Sequence, residues 1–597
     1  MPAYRAPIED TLFLLEEVLD LQQYAALPGF REAPPDIVQA ILAEGARFAE
    51  EVVQPINLEG DRVGCVRHPD GSVTTPPGFA AAYHQFVEGG WSALSGDPAH
   101  GGQGLPHVLS TAFEEYLIAA NMAFSMYPGL TLGAIAAITA VGSEEQKQRY
   151  LPALIAGQWT GTMNLTEPHC GTDLGLLRTR AEPAADGSYR ITGTKIFISA
   201  GEHDLSENII HLVLAKMPDS PDSVKGISLF IVPKFLLDDA GRPGARNAVS
   251  CGALEHKMGI HGNATCVMNY DGATGFLIGE KDKGLRAMFI MMNAARLGVG
   301  LQGLAISEVA TQNAAAYARE RLQGRSLAGP VNKAGKADPI IVHPDVRRML
   351  MNARAFNEAA RGLALWGAMQ VDLAAVADTE EARTRADDLI GLLTPVIKAY
   401  FTDQGYLNAT QAQQCLGGHG YVREWGMEQF VRDARIAMVY EGTNGVQALD
   451  LVGRKLAANG GRALRVFMAD VATQIKDASG DEALAPHAAA LQRALDDLQA
   501  ATQWLMRNAL MTPENAGAAS TPYLYLLALV AMGQMWLRIA RAARKGLEGG
   551  ARAATFYQNK LVTADYFFRY VLVETPTHRA RVEVGAAPLM ALAAEAF

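Results

Sequence analysis

Apolar residues recur at three- and four-residue spacing through IVQAILAEGARFAEEVV and again through TAFEEYLIAANMAF, the period of helices that bury one face. This predicts a helical region over residues 8–160, with Pro35 and Pro152 near segment starts, where a missing N–H does least harm. Between about 161 and 280 the period shortens. SYRITGTKIFIS, IIHLVLAKM, GISLFIVP and TGFLIG are short β-rich runs separated by Gly, Pro, Asp and Asn clusters. After Gly284 the helical pattern returns over about 285–323, 345–376 and 385–415, stretches far beyond the usual helix of about 11 residues. Such lengths suggest a bundle of long antiparallel helices. Pro344 reads as a first-turn residue, and AANGGRA breaks the pattern after Leu456.

The expected fold is mainly α with an inserted β domain. Its parts are an N-terminal helical extension (1–37), an N-terminal helical domain (38–160), a middle β domain (161–281), a helical bundle (282–456) and an additional C-terminal helical domain (462–597). At about 150 residues per domain, 597 residues call for roughly four domains, as the four parts after the extension supply.

Composition narrows the function. With 49% hydrophobic and 19% charged residues the chain can bury several cores, which excludes a disordered or collagen-like protein. A net charge of −11 argues against nucleic acid as the main partner. Five cysteines without C-x-x-C spacing signal neither a disulfide framework nor a zinc site, so no metal is expected and the thiols read as reduced and cytoplasmic. No basic, then apolar, leader stands at Met1–Asp10. The uncharged run Ala518–Leu537 contains Pro522 and Gln534 and ends in Arg538, Arg541, Arg544 and Lys545. It reads as a buried bundle helix rather than a membrane-surface helix, and no integral membrane segment is expected.

Gly298-Val-Gly300-Leu-Gln-Gly303 fits G-x-G-x-x-G but lies in a helical run with no strand before it. Close helix packing is expected there rather than a dinucleotide loop. MVYEGTNGVQ is more informative. Glu441 follows apolar Met438, Val439 and Tyr440; taken alone it reads as a carboxylate completing a helix start. Four further segments stand in order before it: MNLTEPHCGTD (163–173), KIFISAGEHD (195–204), EHKMGIHGNAT (255–265) and QCLGGHGYVREW (414–425). Together the five resemble the acyl-CoA dehydrogenase family over about residues 40–455, and the helical tail is similar to its larger bacterial members, including the methylthiopropanoyl-CoA dehydrogenase branch.

The resemblance implies FAD as cofactor, an acyl-CoA substrate oxidised to the trans-2-enoyl-CoA, a place in fatty-acid β-oxidation, electron-transfer flavoprotein as acceptor, and a homodimer. Glu441 matches the family's catalytic base, which takes the α-proton while the β-hydride passes to the flavin. A carboxylate between an apolar tunnel and a flavin is desolvated, so its pKa is expected to rise toward the working pH. The alternative base position of other branches is Ala295 here, before Arg296. By the same resemblance Leu165, Thr166, Thr172, Phe197 and Ser199 contact FAD, Phe197 standing where a Trp is usual and Ser199 where a Thr is. Arg321, Gln414, Gly417, Gly418, Thr443 and Asn444 match adenine and diphosphate contacts, and Thr172, Arg296, Tyr440 and Gly442 match substrate-side positions. The family's Phe after the Arg321 helix is missing from Arg321-Leu-Gln-Gly-Arg325. Arg296 reads equally as a bundle salt bridge, and His261 and His419 as structural histidines. An acyl-CoA oxidase shares fold and base, and a DNA-binding alkylation-response flavoprotein is the rival of another class.

Overall fold

Ile210, Leu212 and Leu214 of the Asn208–Lys216 strand join one buried cluster with Leu151, Leu154 and Met288, while Val213 and Ala215 join a second with Ile191, Phe230 and Tyr270. A strand covered on both faces favours apolar side chains at nearly every position, which is why this region reads as an apolar run interrupted by His211. In the computed structural model, which describes residues 2–509 and 512–597, this strand is central to a seven-stranded sheet. Strands Thr265–Ile278, Tyr189–Ser199, Arg180–Pro183, Asn208–Lys216 and Ile227–Pro233 pair in turn and return to Thr265–Ile278, so the sheet closes like a barrel. Val249–Leu254 and Trp159–Asn164 pair alongside. The middle β domain of the predicted fold is thus present, and helices surround it in sequence on both sides.

By packing, the chain divides into two compact units. One is Glu44–Gly298, holding the sheet; the other joins the residues up to Ala43 with Val299–Phe597. The long helical periods become helices Gly284–Glu320, Pro344–Val376 and Glu380–Cys415. Pro344 is the first residue of its helix, preceded by His343 in extended conformation. Pro35 likewise begins a helix, but Pro152 does not: it lies inside Glu144–Ile155, whose start is set by a Ser143–Gln146 capping box. The cap fixes the true first turn eight residues upstream of that proline, a signal stronger than the proline itself.

Within the all-helical unit, helices Arg462–Ser479, Ala485–Asn508 and Pro513–Leu547 form the appended domain. Trp536 is fully buried and its indole N–H donates to the Ala355 carbonyl at 2.9 Å, which ties that domain to the Pro344–Val376 helix. The Ile8–Phe13 helix packs into the same unit. Asp10 pairs with Arg361 at 2.5 Å and with Lys560, and Phe13 meets the Phe556 ring edge-on at 5.2 Å. The expected glycine packing is seen at Gly300 and Gly303: a Cβ on Gly303 would stand 2.2 Å from the Phe401 carbonyl oxygen, and one on Gly300 2.7 Å from Ile397.

Among the described residues three helices are long and apolar enough to cross a membrane: Met122–Val141, Gly284–Glu320 and Pro513–Leu547. In the third, 89% of the apolar window is buried inside the protein. The Ala518–Leu537 run is therefore a core helix here, as its Pro and Gln suggested.

Candidate active site

The loop after the Trp159–Asn164 strand is built around a buried ion pair. Lys195, fully buried on the Tyr189–Ser199 strand, donates from Nζ to Glu167 Oε1 at 2.9 Å and to the Leu165 carbonyl at 3.0 Å. Glu167 also accepts from the Thr179 hydroxyl and from the Thr179 and Arg178 amides at 2.6–3.0 Å. Burial pushes the Lys195 ammonium down to about 8, against the upward pull of the Glu167 charge. The Ile196 amide donates to the Thr166 carbonyl at 2.9 Å, so the loop carrying Leu165 and Thr166 is stitched to the strand carrying Phe197 and Ser199.

These positions suit a planar aromatic group. Phe197 holds a left-handed backbone, φ 59°, and its ring is 60% exposed although it sits at the end of a strand. A bulky residue at positive φ is strained, and such strain persists where the surroundings over-determine it, which is common at binding sites. Thr172 is exposed and Ser199, two residues along the same strand from Phe197, is half-buried. Glu167, His169 and Cys170 also bring three potential metal-ligand atoms within 4.8 Å of one another. The Glu167 oxygens are already taken by Lys195 and three donors of residues 178–179, so the cluster serves the loop.

In the other unit Glu441 and Gly442 are successive left-handed residues, φ 56° and 81°, directly before the Asn444–Asp450 helix. Thr443 caps that helix, its hydroxyl accepting from the Val446 amide at 3.3 Å. The side-chain cap of that helix is thus Thr443 rather than Glu441. Its backbone carbonyl accepts from Gln447 Nε2 at 3.0 Å, and its side chain is half-buried. The Tyr440 hydroxyl donates to Gln302 Oε1, which fixes the residue before the carboxylate.

Asn444 points inward. Its Oδ1 accepts from Lys398 Nζ at 2.8 Å and its Nδ2 donates to Asp403 Oδ1 at 2.7 Å and to Thr402 Oγ1 at 3.0 Å. The Asn444 amide is thus bonded within its own unit, which leaves its main chain as the part that would face a diphosphate. Gln414, Gly417 and Gly418 are exposed, and a Cβ on either glycine would meet open space. That is the bare main chain a diphosphate can approach. Arg321, just past the Gly284–Glu320 helix, is exposed.

Arg296 is 4% exposed on its helix, with Nη1 donating to Asn293 Oδ1 at 3.3 Å. His419 has a structural role: it hydrogen-bonds the Tyr317 hydroxyl at 2.9 Å and stacks on Trp425 at 4.5 Å. His261 has one as well, with Nδ1 3.0 Å from Asp61, whose hydrogen bond raises its pKa. Residues that sequence reasoning missed are Glu167, Lys195, Lys398 and Asp403. The two lysines are lone charges in the apolar runs TGTKIFIS and LTPVIKAYF, and that isolation was the available signal.

Comparison with known proteins covers nearly the whole chain. Residues 36–158, 162–273 and 282–456 match the N-terminal, middle and C-terminal domains of acyl-CoA dehydrogenase, and 467–593 match the family described as acetyl-CoA dehydrogenase C-terminal like. The chain is 45% identical to 3-methylmercaptopropionyl-CoA dehydrogenase of Ruegeria pomeroyi over 97% of its length and 98% of that protein's. It is 35% identical to the broad-specificity linear acyl-CoA dehydrogenase FadE5 of Mycobacterium tuberculosis, over the full length of both. Among solved structures, an acyl-CoA dehydrogenase of Bacillus anthracis complexed with FAD superimposes with a TM-score of 0.73 at 22% identity, covering 92% of this chain and 88% of that one.

Proposed function

The chain belongs to the acyl-CoA dehydrogenase family and catalyses FAD-dependent α,β-dehydrogenation of an acyl-CoA, and on that premise we propose that Glu441 is the base and a short thioether acyl-CoA the substrate. The observation that carries the first part is the Glu441–Gly442 turn. A non-glycine residue is held at φ 56° with its carbonyl bonded to Gln447, and backbone strain of this kind clusters at active sites.

FAD supplies the hydride acceptor when bound. Leu165, Thr166, Phe197 and Ser199 would hold its ring system, and Gln414, Gly417, Gly418 and Arg321 its adenine and diphosphate. The exposed Phe197 wall and the open Gly417–Gly418 main chain fit such a group. The protein's own task is to take the α-proton. A thioester α-carbon is far too weak an acid for a free carboxylate, so a positioned base must act together with donors fixed where negative charge grows on the thioester oxygen.

Glu441→Gln tests this reading. The variant keeps its flavin colour and binds acyl-CoA, and anaerobic bleaching of the flavin falls by a factor of about 10²–10⁴ or more. Bleaching at the parent rate would refute the assignment.

The substrate proposal rests on the 45% identity to the methylmercaptopropionyl-CoA enzyme; the 35% identity to FadE5 favours linear acyl-CoAs as the second reading. A graded acyl-CoA panel scored by bleaching separates them. A maximum at 3-methylmercaptopropionyl-CoA supports the first, and a broad plateau over longer chains the second. Electron-transfer flavoprotein as acceptor, a homodimer and a cytoplasmic location complete the proposal.

A further inference from the structure

We propose that Tyr525, on the appended Pro513–Leu547 helix, is a positioning residue for Glu441, acting through Asp403 and Asn444 on the loop that carries the carboxylate. This rests on Glu441 being the base. Four hydrogen bonds connect them. The Tyr525 hydroxyl donates to Asp403 Oδ2 at 2.7 Å; Asp403 Oδ1 accepts from Asn444 Nδ2 at 2.7 Å; Asn444 Oδ1 accepts from Lys398 Nζ at 2.8 Å; and the same Nζ donates to the Gly442 carbonyl at 2.9 Å.

The chain of contacts ends on a strained feature. Glu441 and Gly442 both sit at positive φ, a conformation that a Glu holds only where its surroundings over-determine it. The Gly442 carbonyl accepts from Lys398, which is fully buried and whose Nζ also donates to Asn444, so the amide helps to set the lysine's direction. An amide can present its oxygen or its nitrogen toward a lysine, and only the oxygen accepts. Asp403, an acceptor when ionised, together with the Ala399 carbonyl at 3.2 Å, favours the orientation that turns Nδ2 to itself and Oδ1 to Lys398. Burial raises the Asp403 pKa, while the hydrogen bonds from Tyr525 and Asn444 and the charges of Lys398 and Arg435 favour the ionised form. Tyr525 thus supports the charge that orients the amide that orients the lysine.

The Tyr525 ring is held independently of its hydroxyl. It meets Tyr400 edge-on at 5.4 Å and His578 at 5.4 Å. Tyr525→Phe therefore removes one donor and leaves the packing. The appended domain, on this view, completes the support of the catalytic loop.

The test compares Tyr525→Phe, Asp403→Asn and the double variant, each purified with FAD, by the limiting rate and half-saturation of anaerobic flavin bleaching with acyl-CoA. We expect each single change to slow the limiting rate about tenfold or more, since small displacements of a reacting group carry penalties of that order. Half-saturation and flavin content stay within twofold of the parent, and the double variant is no slower than the slower single, because all act through one chain of contacts. A Tyr525→Phe protein that bleaches at the parent rate overturns the proposal. So does a loss shared between half-saturation and flavin content, or a double variant whose losses multiply. If Tyr525→Phe does not fold, Asp403→Asn alone decides by the same split. Glu441→Gln keeps the two ideas apart: its failure to slow bleaching removes the base and this proposal together, whereas a slow Glu441→Gln beside a normal Tyr525→Phe removes this proposal alone.

Discussion

Lys195 and Lys398 are each fully buried, and each donates to a main-chain carbonyl of a loop that carries candidate site residues. Their second partners differ. Lys195 meets a carboxylate, Glu167, only 28 residues away in sequence, and the lock is complete within its own sheet. Lys398 meets the neutral amide of Asn444, and the compensating negative charge stands one residue further out, on Asp403, which in turn leans on Tyr525 from the appended domain. A direct ion pair fixes its loop by itself and fails abruptly when one partner goes. The relayed arrangement places a neutral amide between the lysine and the carboxylate, so it is softer and open to influence from a distance.

The sharpest way to break the contrast is to remove each lysine's charge. Lys195→Met leaves the Glu167 carboxylate buried without its cation and should cost about 3–5 kcal/mol of stability, read from urea unfolding of the holoenzyme. A loss below about 1 kcal/mol would show that the pair is not a lock. Acid gives a second handle on the sheet-bearing unit. His203 and His211 are buried, and desolvation, then the Lys234 charge, holds each down to about 3 from an ordinary 6.5. His203 Nδ1 accepts from the Leu205 amide at 3.1 Å, which leaves the proton on Nε2 toward Thr160, so the folded ring is neutral. Below 6.5 the unfolded chain binds more protons than the folded one. The stability each ring contributes is therefore full above 6.5 and lost as pH falls toward 3, by about 2 kcal/mol per ring between pH 6.5 and 5. His203→Gln should flatten that slope; an unchanged slope would contradict the neutral assignment.

Lys398→Met should cost less stability, about 1–3 kcal/mol, because the Asp403 carboxylate left without that cation keeps its hydrogen bonds from Tyr525 and Asn444. Its larger effect should fall on the bleaching rate. Equal stability losses for the two lysine variants would erase the distinction drawn here. The smallest effect is expected from Thr443→Ala, which removes the cap of the seven-residue Asn444–Asp450 helix. About 1 kcal/mol is at stake, visible as a small drop in melting temperature with the bleaching rate reduced far less than in Lys398→Met.

Element types and the long helices were legible because they follow from period. The runs at about 285–323, 345–376 and 385–415 became Gly284–Glu320, Pro344–Val376 and Glu380–Cys415, and the G-x-G-x-x-G trap resolved into helix contact at Gly300 and Gly303. The Glu441 segment was legible by resemblance, since its neighbours are contiguous in sequence. The supports were not. Lys195 and Lys398 lie in apolar runs where a lone charge is ordinarily turned to solvent, and the partners of Lys398 lie 44 and 46 residues away. Tyr525 sits in a run whose composition announced only a buried helix, and nothing in its period marks a hydroxyl 122 residues from the aspartate it meets. The direction in which the Asn444 amide turns depends on groups that periodicity does not encode.

The Asp10 carboxylate closes on Lys560 and Arg361, residues synthesised 550 and 351 positions later. At roughly 5–20 residues per second, on the order of half a minute to two minutes separates the emergence of Asp10 from that of Lys560. During that interval the sheet-bearing unit, complete by Gly298, can already assemble while the opening helix waits with an apolar face uncovered. Synthesis in this order leaves the Ile8–Phe13 helix without its Arg361 and Lys560 partners until those residues have emerged.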